Sequence, residues 1–300
     1  MNAKFQLVSV VIPCTDRTIG LEQCLNSVLL QNFLGEIEIV LVENNSTDRF
    51  VVSSLVKKLS NSRISHFYLE NCVNANVARN YGVSSSKGEI IAFLDSDDTW
   101  LPNHVDESLK VIAAGNFAVY SGYLINNGFN RKLIDSRPFG ANETACDFLF
   151  GVNPGYAQTS SFVLRRSVFD VCCWDDNLKR NQDYDFFITV SDNFKWIYKR
   201  EITNIVNWPL GEVRTYSFEA FQVFYRKHKS KMGDKTKAGY LFEILRALSI
   251  MEKWQYDFFR AEIKSLRSNL GLLKRAQTYN YYLCKQINEI RFKVRRYIVK

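Results

Sequence analysis

The feature that most constrains this chain is a regular alternation of short apolar runs with stretches of helical period. Leu7-Val8-Ser9-Val10-Val11-Ile12-Pro13 is almost uninterruptedly apolar, and Ile37 to Val42 and Gly88 to Leu94 repeat the pattern. Ser65 to Leu69 offers a shorter strand. Between the first two runs, Gly20 to Gln31 places Leu21, Cys24, Leu25, Val28 and Leu29 on one helical face. A further helix, entered through Asn74-Ala75-Asn76, carries Arg79 and stops near Lys87-Gly88. Strands apolar on both faces, separated by helices, call for a mostly parallel sheet covered on both sides. The expected fold class is therefore α/β. In such sheets ligands bind beyond the carboxyl ends of the strands.

Polar residues collect at those ends. Asp16 follows the first run, Glu43-Asn44 the second, and Asp95-Ser96-Asp97-Asp98 the run ending at Leu94. Clustered carboxylates repel one another and are costly to desolvate, so they persist where a cation pairs with them. Hard oxygen donors suit Mg²⁺ or Mn²⁺, ions that commonly bridge to phosphates. Taken alone, the aspartate stretch reads equally as a solvated loop capping the next helix, with Thr99, Trp100 and Pro102 opening that helix.

The order of these segments resembles family 2 glycosyltransferases with the GT-A fold. The resemblance rests on Val8 to Pro13, Ser27-Val28-Leu29-Leu30-Gln31, Glu43-Asn44-Asn45-Ser46-Thr47-Asp48, Ala78-Arg79-Asn80-Tyr81-Gly82 and Phe93 to Asp98. A later stretch, Asp175-Asp176-Asn177-Leu178 followed by Gln182-Asp183-Tyr184-Asp185-Phe186, resembles the segment carrying that family's catalytic carboxylate. Together these cover roughly residues 5 to 200. The resemblance implies a nucleotide-diphospho-sugar transferase with a Rossmann-like sheet flanked by helices. Its donor is a nucleotide-sugar, most simply a UDP-sugar, and its acceptor a saccharide or lipid-linked saccharide of a bacterial polysaccharide or lipopolysaccharide.

The same resemblance assigns roles. Pro13 and Asp16 border the base and ribose, Asn44 reads the base edge beside Glu43, and Arg79 lies near the nucleotide. Two acidic residues are usual where this chain has Glu43-Asn44; an amide still offers a donor and an acceptor to a uracil edge. Asp95 and Ser96 border the donor, and Asp95 and Asp97 match the metal-site aspartates that take Mn²⁺ or Mg²⁺. Asp98 orients the site or caps the next helix. Asp183 matches the catalytic base, which accepts the proton of the attacking hydroxyl. Asp185 and Asp176 are its rivals in the same polar segment. Gln182 stands where an acidic neighbour is usual. Attack opposite the leaving group inverts the anomeric centre. A catalytically inactive relative that keeps the fold, or a different sugar-nucleotide chemistry, is the alternative.

Other chemistries lack their signatures. His66, His104 and His228 show no metal-ligand spacing, and there is no Gly-x-Ser-x-Gly elbow, phosphate loop or dinucleotide glycine fingerprint. The seven cysteines lack paired spacing, which suits reduced, mostly core thiols. No signal peptide is evident, and no apolar stretch approaches the roughly 20 residues that span a bilayer. Cytoplasmic residence is the expectation. Trp174, Trp208 and Tyr156 are candidates to stack on a sugar, with core packing the default for each, and Trp208-Pro209-Leu210-Gly211 a candidate closing loop.

Residues 1–215 are expected to form the catalytic domain, with 1–100 the nucleotide half and 101–215 the acceptor half. Charge sets the remainder apart. From Phe221 to Lys300 there are 19 Lys and Arg against 6 Asp and Glu, a balance of +13 in a chain of net +8. Residues 216–300 read as a basic helical region. Tyr240, Leu241, Ile244, Leu245 and Leu248 recur on one face, and Leu283, Ile287, Ile290, Val294 and Ile298 on another. Basic residues beside an apolar stripe suit the inner surface of an anionic membrane. Packing on the domain, or on a second copy of the chain, is the competing reading. A nucleic-acid partner is not expected.

Overall fold

The computed structural model describes residues 5–15, 20–47, 49–208, 217–247 and 253–266. Asp16, Asp48, the segment 209–211 and the last apolar stripe from Leu283 to Ile298 lie outside the described residues. The chain divides into two compact units, Met1–Lys231 and Met232–Lys300.

The first unit opens with β1 (Leu7–Cys14), α1 (Leu21–Leu29), β2 (Glu36–Asn44), α2 (Arg49–Leu59), β3 (Ile64–Leu69), α3 (Ala75–Ser85) and β4 (Ile90–Phe93). β1 pairs in parallel with both β2 and β4, and β2 with β3. Seven of the eight residues of β1 are buried, as are all four of β4. Their apolar runs are therefore the centre of a covered sheet, as the sequence pattern requires. The core on one face gathers Val8, Val10 and Ile12 with Leu21, Leu25 and Val28 of α1.

The helix α3 is seated tightly. A Cβ on Gly82 would lie 2.4 Å from Val11 Cγ1, so only glycine lets α3 approach β1 this closely. Asn74 caps it, its side chain accepting from the Asn76 and Val77 amides.

After the aspartate stretch come β5 (Thr99–Trp100), α4 (His104–Ala113), β6 (Ala118–Ser121), β7 (Tyr123–Asn126), β8 (Arg131–Ile134), α5 (Ala145–Phe150), β9 (Val163–Arg165), α6 (Gln182–Ser191), β10 (Trp196–Lys199), β11 (Asn204–Asn207) and α7 (Phe218–His228). The main sheet has the order β10-β6-β9-β4-β1-β2-β3. Only β9 runs antiparallel, between β4 and β6. A second sheet, β5-β11-β7-β8, lies beside it.

One sequence expectation is corrected here. Thr99 and Trp100 do not open a helix; they form β5, paired antiparallel with Ile205 and Asn204 of β11. Helix α4 begins only at His104. The pairing partner lies about a hundred residues away, and no local pattern reports it.

The six described cysteines are free and five are buried. In the second unit, α8 (Asp234–Ala247) buries Tyr240, Leu241 and Ile244, and α9 (Lys253–Leu266) buries Phe259 and Leu266. Among the described residues, no helix is long and apolar enough to cross a membrane.

Candidate active site

The parallel register brings the ends of β1, β2 and β4 to one edge. Cys14 aligns with Glu43, and Val11 with Phe93, so the chain leaving β4 emerges beside the ends of both neighbours. There Asp95 to Asp98 make a tight turn, the Asp98 amide donating to the Asp95 carbonyl at 2.9 Å. A cavity of about 610 Å³ opens at this edge, and Arg79, Asp95, Asp97, Asp98 and Asp183 all line it. Four of the sequence-selected residues (Arg79, Asp95, Asp97 and Asp183) thus meet in one place.

Each is held differently. Arg79 is buried on α3, donating to Asp95 Oδ1 at 2.7 Å, to Asn76 Oδ1 at 3.0 Å and to Gln182 Oε1 at 3.1 Å. Its guanidinium lies 4.6 Å over the Trp174 ring. Gln182, in the place of an acidic neighbour, therefore connects the segment bearing Asp183 to the Asp95 turn through this arginine. Asp98 is buried and accepts from the Ser160 hydroxyl (2.6 Å), the Gln158 amide (3.0 Å) and the Asn207 backbone (3.1 Å). Burial, with Asp95 and Asp97 nearby, pushes its carboxyl well above the usual range. The Asn207 side chain also donates to the Asp97 carbonyl at 2.8 Å. The second sheet thereby fixes the turn from below.

Asp183 sits in the first turn of α6, which follows Asn181 in a left-handed conformation (φ 54°). Burial raises its carboxyl to about 6; the charge of Asp95 pushes the same way, while the Tyr184 amide, Arg79 and Arg180 oppose. Its rivals are turned elsewhere. Residues two apart on a helix point about 200° from each other. Asp185 accordingly faces away from the cavity, is buried, and accepts from His228 Nε2 at 2.6 Å and Lys227 Nζ at 2.8 Å. Asp176 accepts from the Asn80 side chain at 2.7 Å.

Of the remaining described candidates, only Trp208 lines this cavity. Pro13 is buried in β1. Glu43 is buried and hydrogen-bonded with His66 Nε2 at 2.8 Å. Asn44 ends β2, and Ser96 occupies the turn without reaching the cavity wall. Trp174 is packed in the core, stacked 4.0 Å from Phe186; Tyr156 is partly exposed, and Trp208 lines the cavity.

Three asparagines of α3 and its cap, given no role by the sequence, tie the segment bearing Asp183 to the sheet. Asn74 donates to the Asp176 carbonyl (2.6 Å), Asn76 to that of Asp175 (2.8 Å) and Asn80 to that of Trp174 (2.8 Å). His228, Ser160, Gln158 and Asn207 were missed likewise. Nothing local marks them, since every one acts across tens of residues.

Among the described residues no group of three His, Cys, Asp or Glu is arranged to hold a metal ion. Asp95 keeps its Oδ1 on Arg79 and Asp98 is engaged on both oxygens, while the hard carboxylates of Asp95 and Asp97 line the cavity. Such a two-carboxylate set fits a Mg²⁺ or Mn²⁺ ion that takes its other ligands from phosphates and water.

Comparison with known proteins agrees with this geometry. The sequence model for "Glycosyl transferase family 2" matches residues 9–172. The chain is 30% identical over 202 residues to the amylovoran biosynthesis glycosyltransferase AmsB of Erwinia amylovora, covering 63% of this chain and 65% of that protein. It is 26% identical over 264 residues to the putative colanic acid biosynthesis glycosyl transferase WcaA of Escherichia coli, covering 83% and 91%. The chain thus spans slightly less than two thirds of AmsB. Among solved structures, S. aureus TarS 1-349 in complex with UDP-GlcNAc superposes with a TM-score of 0.56 at 19% identity, over 92% of this chain and 79% of that one. GalNAc-T7 with UDP, GalNAc and Mn²⁺ gives 0.57 at 15% identity, over 75% and 48%. These two likenesses show the GT-A fold. With the family match extending over more than half of its length, this chain belongs to glycosyl transferase family 2.

Proposed function

We propose that the enzyme is an inverting transferase that moves a sugar from a UDP-sugar to a hydroxyl of a growing, lipid-linked bacterial polysaccharide. The observation that carries this reading is the meeting of Asp95, Asp97, Arg79 and Asp183 in one cavity at the strand ends. The base and ribose are assigned to the strand-end edge at Asn44, with Pro13 and Glu43 buried behind it and Ser96 bordering the diphosphate. A Mg²⁺ or Mn²⁺ ion on Asp95 and Asp97 would supply charge neutralisation for the departing diphosphate. Arg79 holds Asp95 in place for that duty.

Asp183 takes the proton from the acceptor hydroxyl as its oxygen bonds to the anomeric carbon and the bond to the diphosphate breaks. Attack from the opposite face turns an α-linked donor into a β-linked product. Support for the acceptor class comes from relatives. AmsB and WcaA carry polysaccharide names, and an E. coli relative, 31% identical over 125 residues, is named UDP-Glc:alpha-D-GlcNAc-diphosphoundecaprenol beta-1,3-glucosyltransferase WfaP.

Catalysis is assigned to residues 1–215 together with α7, whose His228 braces α6. The basic remainder of the chain holds the enzyme on the anionic inner face of the cell membrane, which is where a lipid-linked acceptor is found. The experiment is a transfer assay with UDP-glucose, UDP-galactose and their N-acetylated forms on sugar-diphospho-lipid acceptors, with product configuration read by NMR. A β-linked product from an α-linked donor, dependent on Mn²⁺ or Mg²⁺, bears the proposal out. Retained α configuration, or transfer indifferent to chelation, overturns its stereochemical or its metal part.

A further inference from the structure

The second sheet carries a charge pattern that the mechanism does not use. Its strands β5, β11, β7 and β8 contain no acidic residue, and Arg131 and Lys132 of β8 are their only charges. Both cations are exposed and form no ion pair with another described residue. Beside them stand Phe129, 86% exposed at the tip of the β7–β8 hairpin, and Leu133, 53% exposed. The turn that displays them is built, not loose. Asn127 Oδ1 accepts from the Phe129 and Asn130 amides at 3.0 and 2.9 Å, and Asn126 Oδ1 from the Gly128 amide at 3.1 Å. Gly128 supplies the left-handed φ of 88°. The base of the hairpin is tied down as well. Asn126 Nδ2 donates to Asn207 Oδ1 at 2.8 Å, and the Ser136 hydroxyl exchanges hydrogen bonds with the Tyr156 carbonyl and amide at 2.8 and 2.9 Å.

An apolar tip flanked by unpaired cations fits a surface that is anionic outside and apolar within. The aromatic ring and the leucine enter the acyl boundary, while the long stems of Arg131 and Lys132 keep their charges among the headgroups. A second copy of the chain fits this edge less well. β8 ends the sheet, and pairing two such edges would set Arg131 and Lys132 of one copy among those of the other, where like charges repel. The hairpin is also linked to the cavity. Tyr123, the first residue of β7, lines it, and Asn126 at the end of the same strand lies about 10 Å further along.

We infer that the β7–β8 hairpin is a membrane-contact element of its own, in which Phe129 and Leu133 enter an anionic bilayer and Arg131 and Lys132 bind its headgroups. This contact is separate from the basic remainder of the chain, and it brings the cavity close to the bilayer surface. Only its use in reaching a lipid-linked acceptor rests on the function proposed above. The test uses the full chain with vesicles of equal parts phosphatidylglycerol and phosphatidylcholine, or of phosphatidylcholine alone, with acyl chains plain or brominated. Tryptophan quenching by the brominated chains is read for the wild type and for Phe129→Trp, the wild type's own tryptophans setting the baseline. Vesicle affinity is measured by co-sedimentation for Arg131→Gln/Lys132→Gln and for Phe129→Ser/Leu133→Ser. All four positions are exposed, so the melting temperature is expected to stay unchanged in each variant.

The inference expects Phe129→Trp to be quenched beyond the wild type on the anionic vesicles and not on phosphatidylcholine alone. Each double variant is expected to lose about tenfold or more in affinity for the anionic vesicles. If the full chain binds vesicles without excess quenching at position 129, the hairpin inference falls and the contact through the basic remainder stands. Equal quenching on phosphatidylcholine alone removes the role of the cations and overturns it as well. So does a concentration-dependent dimer in the wild type that both double variants abolish while vesicle affinity is unchanged, since the edge then serves a second copy. A chain that binds neither vesicle overturns both membrane contacts. Transfer to a water-soluble acceptor is unaffected by any of these results, so the transferase reading is judged separately.

Discussion

Arg79 Nη2 donates to Asp95 Oδ1 at 2.7 Å, from a side chain only 5% exposed to one 28% exposed. The bond joins α3 to the aspartate turn, and through Gln182 to the helix bearing Asp183. Replacing the cation leaves Asp95 facing Asp97 and Asp183 without its counter-charge. Arg79→Met is expected to cost about 3 kcal/mol of stability, the lower end for breaking a buried pair. It should also lower kcat/KM by about a hundredfold. Urea unfolding and steady-state kinetics check the two parts.

Asp183, raised to about 6, predicts the acid limb of the pH profile. A general base must be ionised, so kcat/KM should fall about tenfold per pH unit below that value. Stability runs the other way. An unfolded aspartate titrates near 3.9, so between about 4 and 6 the folded chain binds more protons, and stability declines as pH rises through that window. Asp183→Asn removes a half-buried charge. It should melt higher than the wild type at pH 7.5, lose that advantage near pH 4, and transfer sugar at least about a hundredfold more slowly. A melting temperature lower than the wild type at pH 7.5 would contradict this account of its burial.

Ser160 stands between two carboxylates' worth of structure. Its hydroxyl donates to Asp98 at 2.6 Å and accepts from the Asp95 amide at 3.1 Å. Ser160→Ala strips a buried carboxyl of one donor and a backbone amide of its acceptor. The expected cost is about 1–3 kcal/mol, read by chemical denaturation.

His228 and Asp185 are both almost fully buried and meet at 2.6 Å, pinning α7 to α6. His228→Ala leaves Asp185 with Lys227 alone. A loss of about 3 kcal/mol is expected, with UDP affinity unchanged because neither residue lines the cavity. Equal loss of UDP affinity would show that the pair does more than brace the helix.

The sheet was legible because its strands are apolar on both faces and its helices carry a plain 3.6-residue period. β1, β2, β4, α1 and α3 depend on little else. Asp95 and Asp97 were legible for a similar reason, as carboxylates sit at a strand end only a few residues from the apolar run. Asp183 came from resemblance, and its placement apart from Asp185 needed the helix phase to be seen. What could not be read is long-range. The β5–β11 pairing displaced an expected helix start, and Asn76 bonds to Asp175 across 99 positions. Trp174, read with core packing as its default and sugar stacking as the alternative, is core beneath Arg79.

The most direct test of the central claim separates binding from chemistry at two aspartates of the same cavity. UDP-sugar binding and sugar transfer are measured side by side, with and without Mn²⁺, for the wild type, Asp97→Ala and Asp183→Asn. The account predicts that Asp97→Ala loses Mn²⁺-dependent binding by at least about tenfold, whereas Asp183→Asn binds the donor as the wild type does and fails to transfer. Wild-type transfer by Asp183→Asn, or Mn²⁺-dependent donor binding intact in Asp97→Ala, would contradict it.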